Sequence, residues 1–146
     1  MPTAFFSWQR DTSTTEGRNF VERALESAIA VVAADLTLQE AVREGLEIDR
    51  DTMGVAGHPP IVETIFRKIE AAAVFVPDLT FVGRRLDGRP MPNPNVLIEY
   101  GYALRSLSHS RIVAVMNSAH GRPDEDMPFN MKHLRWPLIY KLLRWS

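Results

Sequence analysis

Five short apolar runs are separated along this chain by polar loops and by stretches with helical spacing, and that alternation predicts a parallel α/β sheet. Residues 3–8, TAFFSW, are apolar and aromatic and run at once into the polar QRDTSTTE, as a first strand ending in a loop does. Ser13 and Glu16 have capping-box spacing, and Val21, Leu25, Ala28, Ile29 and Val32 then recur at helical intervals, which predicts a long amphipathic helix. Residues 36–44 read as a connection with room for one helical turn. In GLEIDRD, Leu46 and Ile48 alternate with Glu47 and Asp49, the pattern of a half-buried edge strand. TMGVAGHPP reads as a loop, with Pro59 and Pro60 opening a helix whose buried stripe is Ile61, Ile65 and Ile69. AAAVFVPDLTFV contains a continuous apolar run ended by Pro77 and Asp78, and RIVAVMN is another, as expected of central strands covered on both faces. GRRLDGRPMP and NSAHGRPDEDMPFN read as loops, and LRWPLIY as a last strand that Pro137 pushes to an edge.

Between the two central strands lies NPNVLIEYGYALRSL, residues 93–107. Asn93 suits an N-cap, Pro94 the first helical turn, and Val96, Tyr100, Ala103 and Leu107 form a stripe able to face a sheet. Asn95, Glu99 and Tyr102 fall on another face. An acid between Ile98 and Tyr100 is expensive to bury, because desolvation disfavours its charged form. Glu99 is therefore the residue to explain.

Edge signals on strands two and five, with strands three and four apolar throughout, predict a flavodoxin-like five-stranded parallel sheet of order 2-1-3-4-5 with helices on both faces. A length of 146 residues suits one domain spanning 1–146, and the apolar, aromatic end YKLLRWS is expected to continue into a longer protein. Seventeen basic against eighteen acidic residues give no electrostatic reason for a nucleic-acid or membrane partner. With no cysteine, and with four histidines lacking ligand spacing, no metal is implied. No run approaches a membrane span and no signal-peptide pattern opens the chain, so a cytoplasmic protein is expected.

Ligands of open α/β sheets bind beyond the carboxyl ends of the strands where strand order reverses, here between strands one and three. That nominates Ser7 to Asp11, Pro77 to Thr80 and the first turns of the Asn93 helix. The chain carries no GxGxxG after strand one, no GxxxxGK[ST] and no GxSxG, which removes the common dinucleotide, phosphate-loop and hydrolase-elbow readings.

The segment NPNVLIEYGYAL resembles the PNVxxExGYA helix of bacterial TIR-like domains from antiviral defence systems. FFSWQRD, VFVPDLT and MPFNMKHLRWPLIY resemble the first strand and loop, the third strand and the closing segment of that group, so the likeness spans about residues 3 to 140. Enzymatic TIR domains cleave the nicotinamide N-glycosidic bond of NAD, giving ADP-ribose or a cyclic variant, with NAD as substrate and no other cofactor. The resemblance places their catalytic glutamate at Glu99. Many carry tryptophan four residues before it, whereas this chain has Asn95. The implied substrate-binding set is Phe6, Ser7, Trp8, Arg10, Asp11, Asp49, Asp78, Asn95 and Tyr102, with residues 52–58 as a closing lid.

Nicotinamide leaves as a neutral molecule and needs no general acid. One carboxylate opposite the anomeric carbon can stabilise the oxocarbenium-like sugar or attack it. The resemblance also implies self-association between TIR domains and a fused or separate sensor, of cyclic-nucleotide or Argonaute type. Two other readings are open: a nucleoside deoxyribosyltransferase-like enzyme using the same helix glutamate as nucleophile, and a non-enzymatic adaptor or nucleotide-binding module.

Overall fold

The computed structural model describes residues 2–43, 45–51, 61–127 and 137–143. In chain order the elements are β1 (Thr3–Ser7), α1 (Arg18–Ala34), α2 (Glu40–Arg43), β2 (Glu47–Asp49), α3 (Ile61–Ala71), β3 (Val74–Pro77), β4 (Phe81–Arg84), β5 (Pro90–Pro92), α4 (Pro94–Ser106), β6 (Val115–Asn117), α5 (Pro123–Asp126) and β7 (Leu138–Tyr140).

Strand β1 is the centre. It pairs in parallel with β2 on one side and β3 on the other, in register Phe5↔Asp49 and Phe5↔Phe75. Successive side chains of a strand point to opposite faces, so neighbouring Phe5 and Phe6 enter separate cores, and both are fully buried. Phe5 joins Ile69, Phe75, Val96, Tyr100 and Ala103 under α3 and α4, while Phe6 meets Val21 and Val76 under α1. Helices therefore cover both faces, as the apolar runs predict. β6 and β7 form a second parallel pair. Among the described residues it meets the first sheet through single parallel bridges, Phe75↔Ile112 and Asp78↔Val115. Among the described residues the strand ladders give the order β2-β1-β3 and a β6-β7 pair, and Val113 N–H to Phe75 O at 2.9 Å and Leu79 N–H to Val115 O at 2.8 Å join the two.

The α4 helix follows its sequence closely. Asn93 Oδ1 accepts from the backbone N–H groups of Asn95 (2.8 Å) and Val96 (3.2 Å), and Val96, Tyr100, Ala103 and Leu107 are all buried. Helix α1 departs from expectation at its start. Ser13 Oγ does accept from Glu16 N, at 3.3 Å, but this closes a separate turn, and the helix begins at Arg18 with Gly17 as its N-cap. Of its expected stripe only Val21 is buried, and Ala28 is exposed. A 17-residue helix spans about 25 Å, whereas the strand beneath it spans about 17 Å, so its later turns overhang the sheet.

The stretch 83–92, expected as a loop, contributes instead to an antiparallel hairpin of β4 and β5. Its turn is built on Asp87 and Gly88, with Gly88 at φ 85° and Arg85 N–H bonded to Arg89 O at 2.8 Å. Asp-Gly is a strong hairpin signal, outweighed in the sequence by the surrounding arginines and prolines. The loop 52–58, the helix-opening Pro59 and Pro60, and most of the closing segment lie outside the described residues. No helix among the described residues is long and apolar enough to cross a membrane.

Phe75 lies under α3 and α4, is fully buried and stacks on Phe5 with ring centroids 6.2 Å apart. Truncation to alanine leaves a cavity at the centre of the larger core. Phe75→Ala is expected to cost about 3–5 kcal/mol of unfolding free energy, read from the shift in urea midpoint at unchanged slope.

Candidate functional site

The carboxyl ends of β1 and β3 place the site. Ser7, last in β1, pairs with Pro77, and Asp78 N–H then donates to Ser7 O at 3.0 Å. By strand alternation Ser7 shares the face of Phe5, on which α4 packs. Its hydroxyl donates to Glu99 Oε1 at 3.0 Å, joining residues 92 positions apart.

Glu99 is half-buried on α4, and burial pushes its carboxyl up to about 7 from an ordinary 4.5. The Ser7 bond works against that rise, and the nearby charge of Asp51 adds to it. At neutral pH Glu99 is thus divided between acid and carboxylate. A positive charge arriving beside it would favour the carboxylate.

Trp8 points to the opposite face from Ser7. Its indole N–H donates to Asp51 Oδ2 at 3.1 Å, and two guanidinium groups lie over its ring, Arg10 at 5.2 Å and Arg18 at 4.6 Å from the centroid. Asp51 has φ 38°, a left-handed conformation that a non-glycine residue adopts at a cost. Because Asp51 both accepts from Trp8 and acts on Glu99, the indole and the acid belong to one neighbourhood.

The residue that shapes this rim lies within the nominated stretch Ser7 to Asp11, although the sequence assigns it no role of its own. Gln9 is buried, and its Oε1 accepts from the backbone N–H groups of Asp11 (2.6 Å) and Thr12 (3.1 Å). Its Nε2 donates to Thr12 Oγ1 at 3.1 Å and also bonds Asp78. The side chain thereby folds the loop after β1 back on itself. Gly17 permits that closeness, since a Cβ there would sit 2.7 Å from Thr12 Oγ1. From the same loop Asp11 Oδ2 accepts from Asn93 Nδ2 at 2.6 Å, tying the loop to the N-cap of α4. A glutamine with every donor and acceptor committed leaves no periodic trace in a sequence.

The nominated residues thus divide. Ser7, Glu99, Trp8, Arg10 and Asp11 converge on one rim. Asp78 joins them from beneath: it is 1% exposed, bonded by Thr80 N–H and Gln9, and burial raises its carboxyl above the usual range. Phe6 does not join, because its ring is fully enclosed beneath α1 and has no free face for a ligand. Asp49 is engaged by Lys68 Nζ at 2.8 Å, an ion pair linking β2 to α3. Tyr102 stacks on Phe66 with centroids 4.0 Å apart and donates to Glu70, so it serves the α3–α4 contact. Asn95 is exposed, one turn ahead of Glu99. Among the described residues no group of three or more His, Cys, Asp or Glu side chains is placed to hold a metal ion.

No family model matches the chain, and no curated protein matches it. Among solved structures it is similar to a 2-desoxiribosyltransferase from Leishmania mexicana, with 14% identity and a TM-score of 0.44. The likeness covers 80% of this chain and 65% of that one.

The raised Glu99 carboxyl has a consequence for stability. Because its folded value exceeds its unfolded one, the native state holds the proton longer, and stability falls as pH rises from 4.5 to about 7. A rise of that size weighs on the order of 3 kcal/mol above the upper end of this window. Glu99→Gln removes the titrating group, so at pH 8 the variant should be the more stable protein in urea denaturation, with the difference closing by pH 4. A variant less stable than the parent at pH 8 would show that the carboxylate is well accommodated.

Proposed function

We propose that the chain breaks the N-glycosidic bond of a nucleotide, with Glu99 facing the anomeric carbon and NAD as the substrate. The observation that carries this reading is the Ser7–Glu99 hydrogen bond of 3.0 Å at the carboxyl edge of β1. It supports an oriented, half-buried carboxylate where open α/β sheets take their ligands. In this reading the second ladder continues the first as a flavodoxin-like five-stranded sheet.

Ser7 holds one carboxylate oxygen, and the described residues give the other no hydrogen-bond partner, so it is the oxygen available to the sugar. As the bond from C1′ to the pyridinium nitrogen breaks, its electron pair neutralises nicotinamide and positive charge moves onto the ribose. Water adds to C1′ and loses a proton, leaving ADP-ribose. Glu99 is costly as a carboxylate when alone and favoured beside that developing cation. Its interaction therefore strengthens toward the transition state, which is what accelerates a reaction. Self-association of TIR-like domains, and a fused or separate sensor that triggers it in antiviral defence, belong to the same proposal.

One observation favours a second reading. Phe6 is enclosed and the Trp8 ring already carries two guanidinium groups, so the two aromatic residues of the implied substrate-binding set offer little ring surface to a nicotinamide. Deoxyribosyl transfer, with Glu99 as nucleophile forming a covalent sugar intermediate, requires the same acid without that aromatic wall.

Incubation with NAD, and separately with a deoxynucleoside plus a free acceptor base, distinguishes the two. Nicotinamide release supports the first and base exchange the second. Either activity should fall roughly a thousandfold in Glu99→Gln. In the parent, kcat/KM should rise with pH up to about 7 and then level, following ionisation of Glu99. Unchanged turnover in Glu99→Gln would remove both readings.

A further inference from the structure

We propose that the β4–β5 hairpin is a membrane-contact element, whose tip sets Leu86 and the three arginines around it against a bilayer bearing anionic lipids. The inference is independent of the glycosidic reading and concerns an arginine-rich stretch that the Glu99 site leaves unused.

The first ground is projection. Every residue from 83 to 89 is exposed, and Leu86 is fully so. A Cβ on Gly83 or Gly88 would meet no heavy atom within 4 Å beyond its chain neighbours, so the tip stands in open space. The turn itself is tightly made. Arg85 N–H donates to Arg89 O at 2.8 Å, Gly88 N–H to Arg85 O at 2.9 Å, and Asp87 Oδ1 accepts from Arg89 N–H at 3.1 Å. A turn closed by these bonds presents its side chains with little further ordering, which lowers the entropic cost of docking.

The second ground is local charge, which the net charge of −1 conceals. From Thr80 to Ile98 the chain holds three arginines and one acid, Asp87. That acid is engaged by the turn, and its 3.3 Å contact with Arg85 joins two half-exposed side chains, a surface pair of little strength. Arg84 Nη1 donates to Gly88 O at 2.8 Å, which brings its guanidinium to the tip. Arg85 and Arg89 stand opposite each other across the ladder, where like charges weaken a hairpin and an anionic surface would relieve them.

The third ground is Leu86, and it selects the partner. The side chain buries nothing, and the second position of such a turn accepts most residues, so neither packing nor geometry requires leucine there. An apolar tip with arginines just behind it matches the order of a bilayer surface, in which the acyl boundary lies beneath charged head groups. A specific protein interface uses roughly 20–30 residues a side, far more than this tip exposes. Nucleic acid fits less well, because the stretch 82–99 has no aromatic side chain to stack on a base.

The test is co-sedimentation of the full chain with vesicles of phosphatidylcholine alone and of phosphatidylcholine with phosphatidylserine in about a 3:1 ratio. The parent should sediment with the anionic vesicles only, and salt raised to about 0.5 M should release it. Arg89→Gln should weaken binding about fivefold and Leu86→Ser about tenfold. Arg84→Gln, Arg85→Gln and Arg89→Gln together should reduce it to the level seen with phosphatidylcholine alone. Arg23→Gln, an exposed position on α1, should change it less than twofold. Glu99→Gln should bind as the parent does, which keeps the result separate from any turnover. Equal binding to both vesicles, no binding to either, or parent-like binding in the triple variant or in Leu86→Ser overturns the proposal. A duplex oligonucleotide bound more tightly than the anionic vesicles, with the same dependence on the arginines, also overturns it and gives the hairpin to nucleic acid.

Discussion

Strand β1 is enclosed on both faces, and most of the molecule follows from that enclosure. Phe5 and Phe6 are neighbours in the chain, so their side chains must leave in opposite directions, and each needs its own helical cover. α3 and α4 supply one cover and α1 the other. With β2 and β3 bonded to its two edges, β1 can neither slide nor rotate without exposing a phenyl ring. A slip by one residue would exchange the two faces and carry Ser7 away from α4.

Held in that register, the end of β1 becomes a precise platform. Ser7 and Trp8 inherit opposite directions from the strand, one toward Glu99 and one toward α1. Gln9 then bends the chain and uses all of its hydrogen-bonding capacity to do so. Asp11 closes the circuit on Asn93, the residue that caps α4. Glu99 is thus located by three contacts of different kinds: a buried apolar stripe, an N-cap, and one hydroxyl. Each is modest alone. Together they hold an ionisable group where desolvation opposes its charge, the kind of local cost that folds tolerate at functional sites.

Legibility from the sequence varied with the range of the interaction. The α4 stripe and cap were readable because both lie within one helix, and every member is where periodicity put it. The edge position of β2 was readable from Leu46 and Ile48 alternating with acids, since alternation records which faces are wet. The β4–β5 hairpin was visible in Asp87–Gly88 but was hidden by charge and proline around it. Phe6 and Tyr102 could not be placed from the sequence, for one shared reason. An aromatic near a site and an aromatic in a contact have the same composition, and only the neighbouring elements tell them apart: α1 over Phe6, and Phe66 and Glu70 beside Tyr102.

The amino-acid sequence by itself determined the α/β class, the helix that carries Glu99, and the improbability of an acid in that setting, because these depend on spacing within single elements. Only the tertiary structure decided that Ser7 is the partner of Glu99, that Gln9 shapes the rim, and that Arg10 and Arg18 share the face of Trp8. Those contacts join β1 to α4, its loop to β3, and that loop to α1. A hydrogen bond across 92 residues leaves no period in the chain, since its geometry is set by the packing of the elements that bring its two ends together.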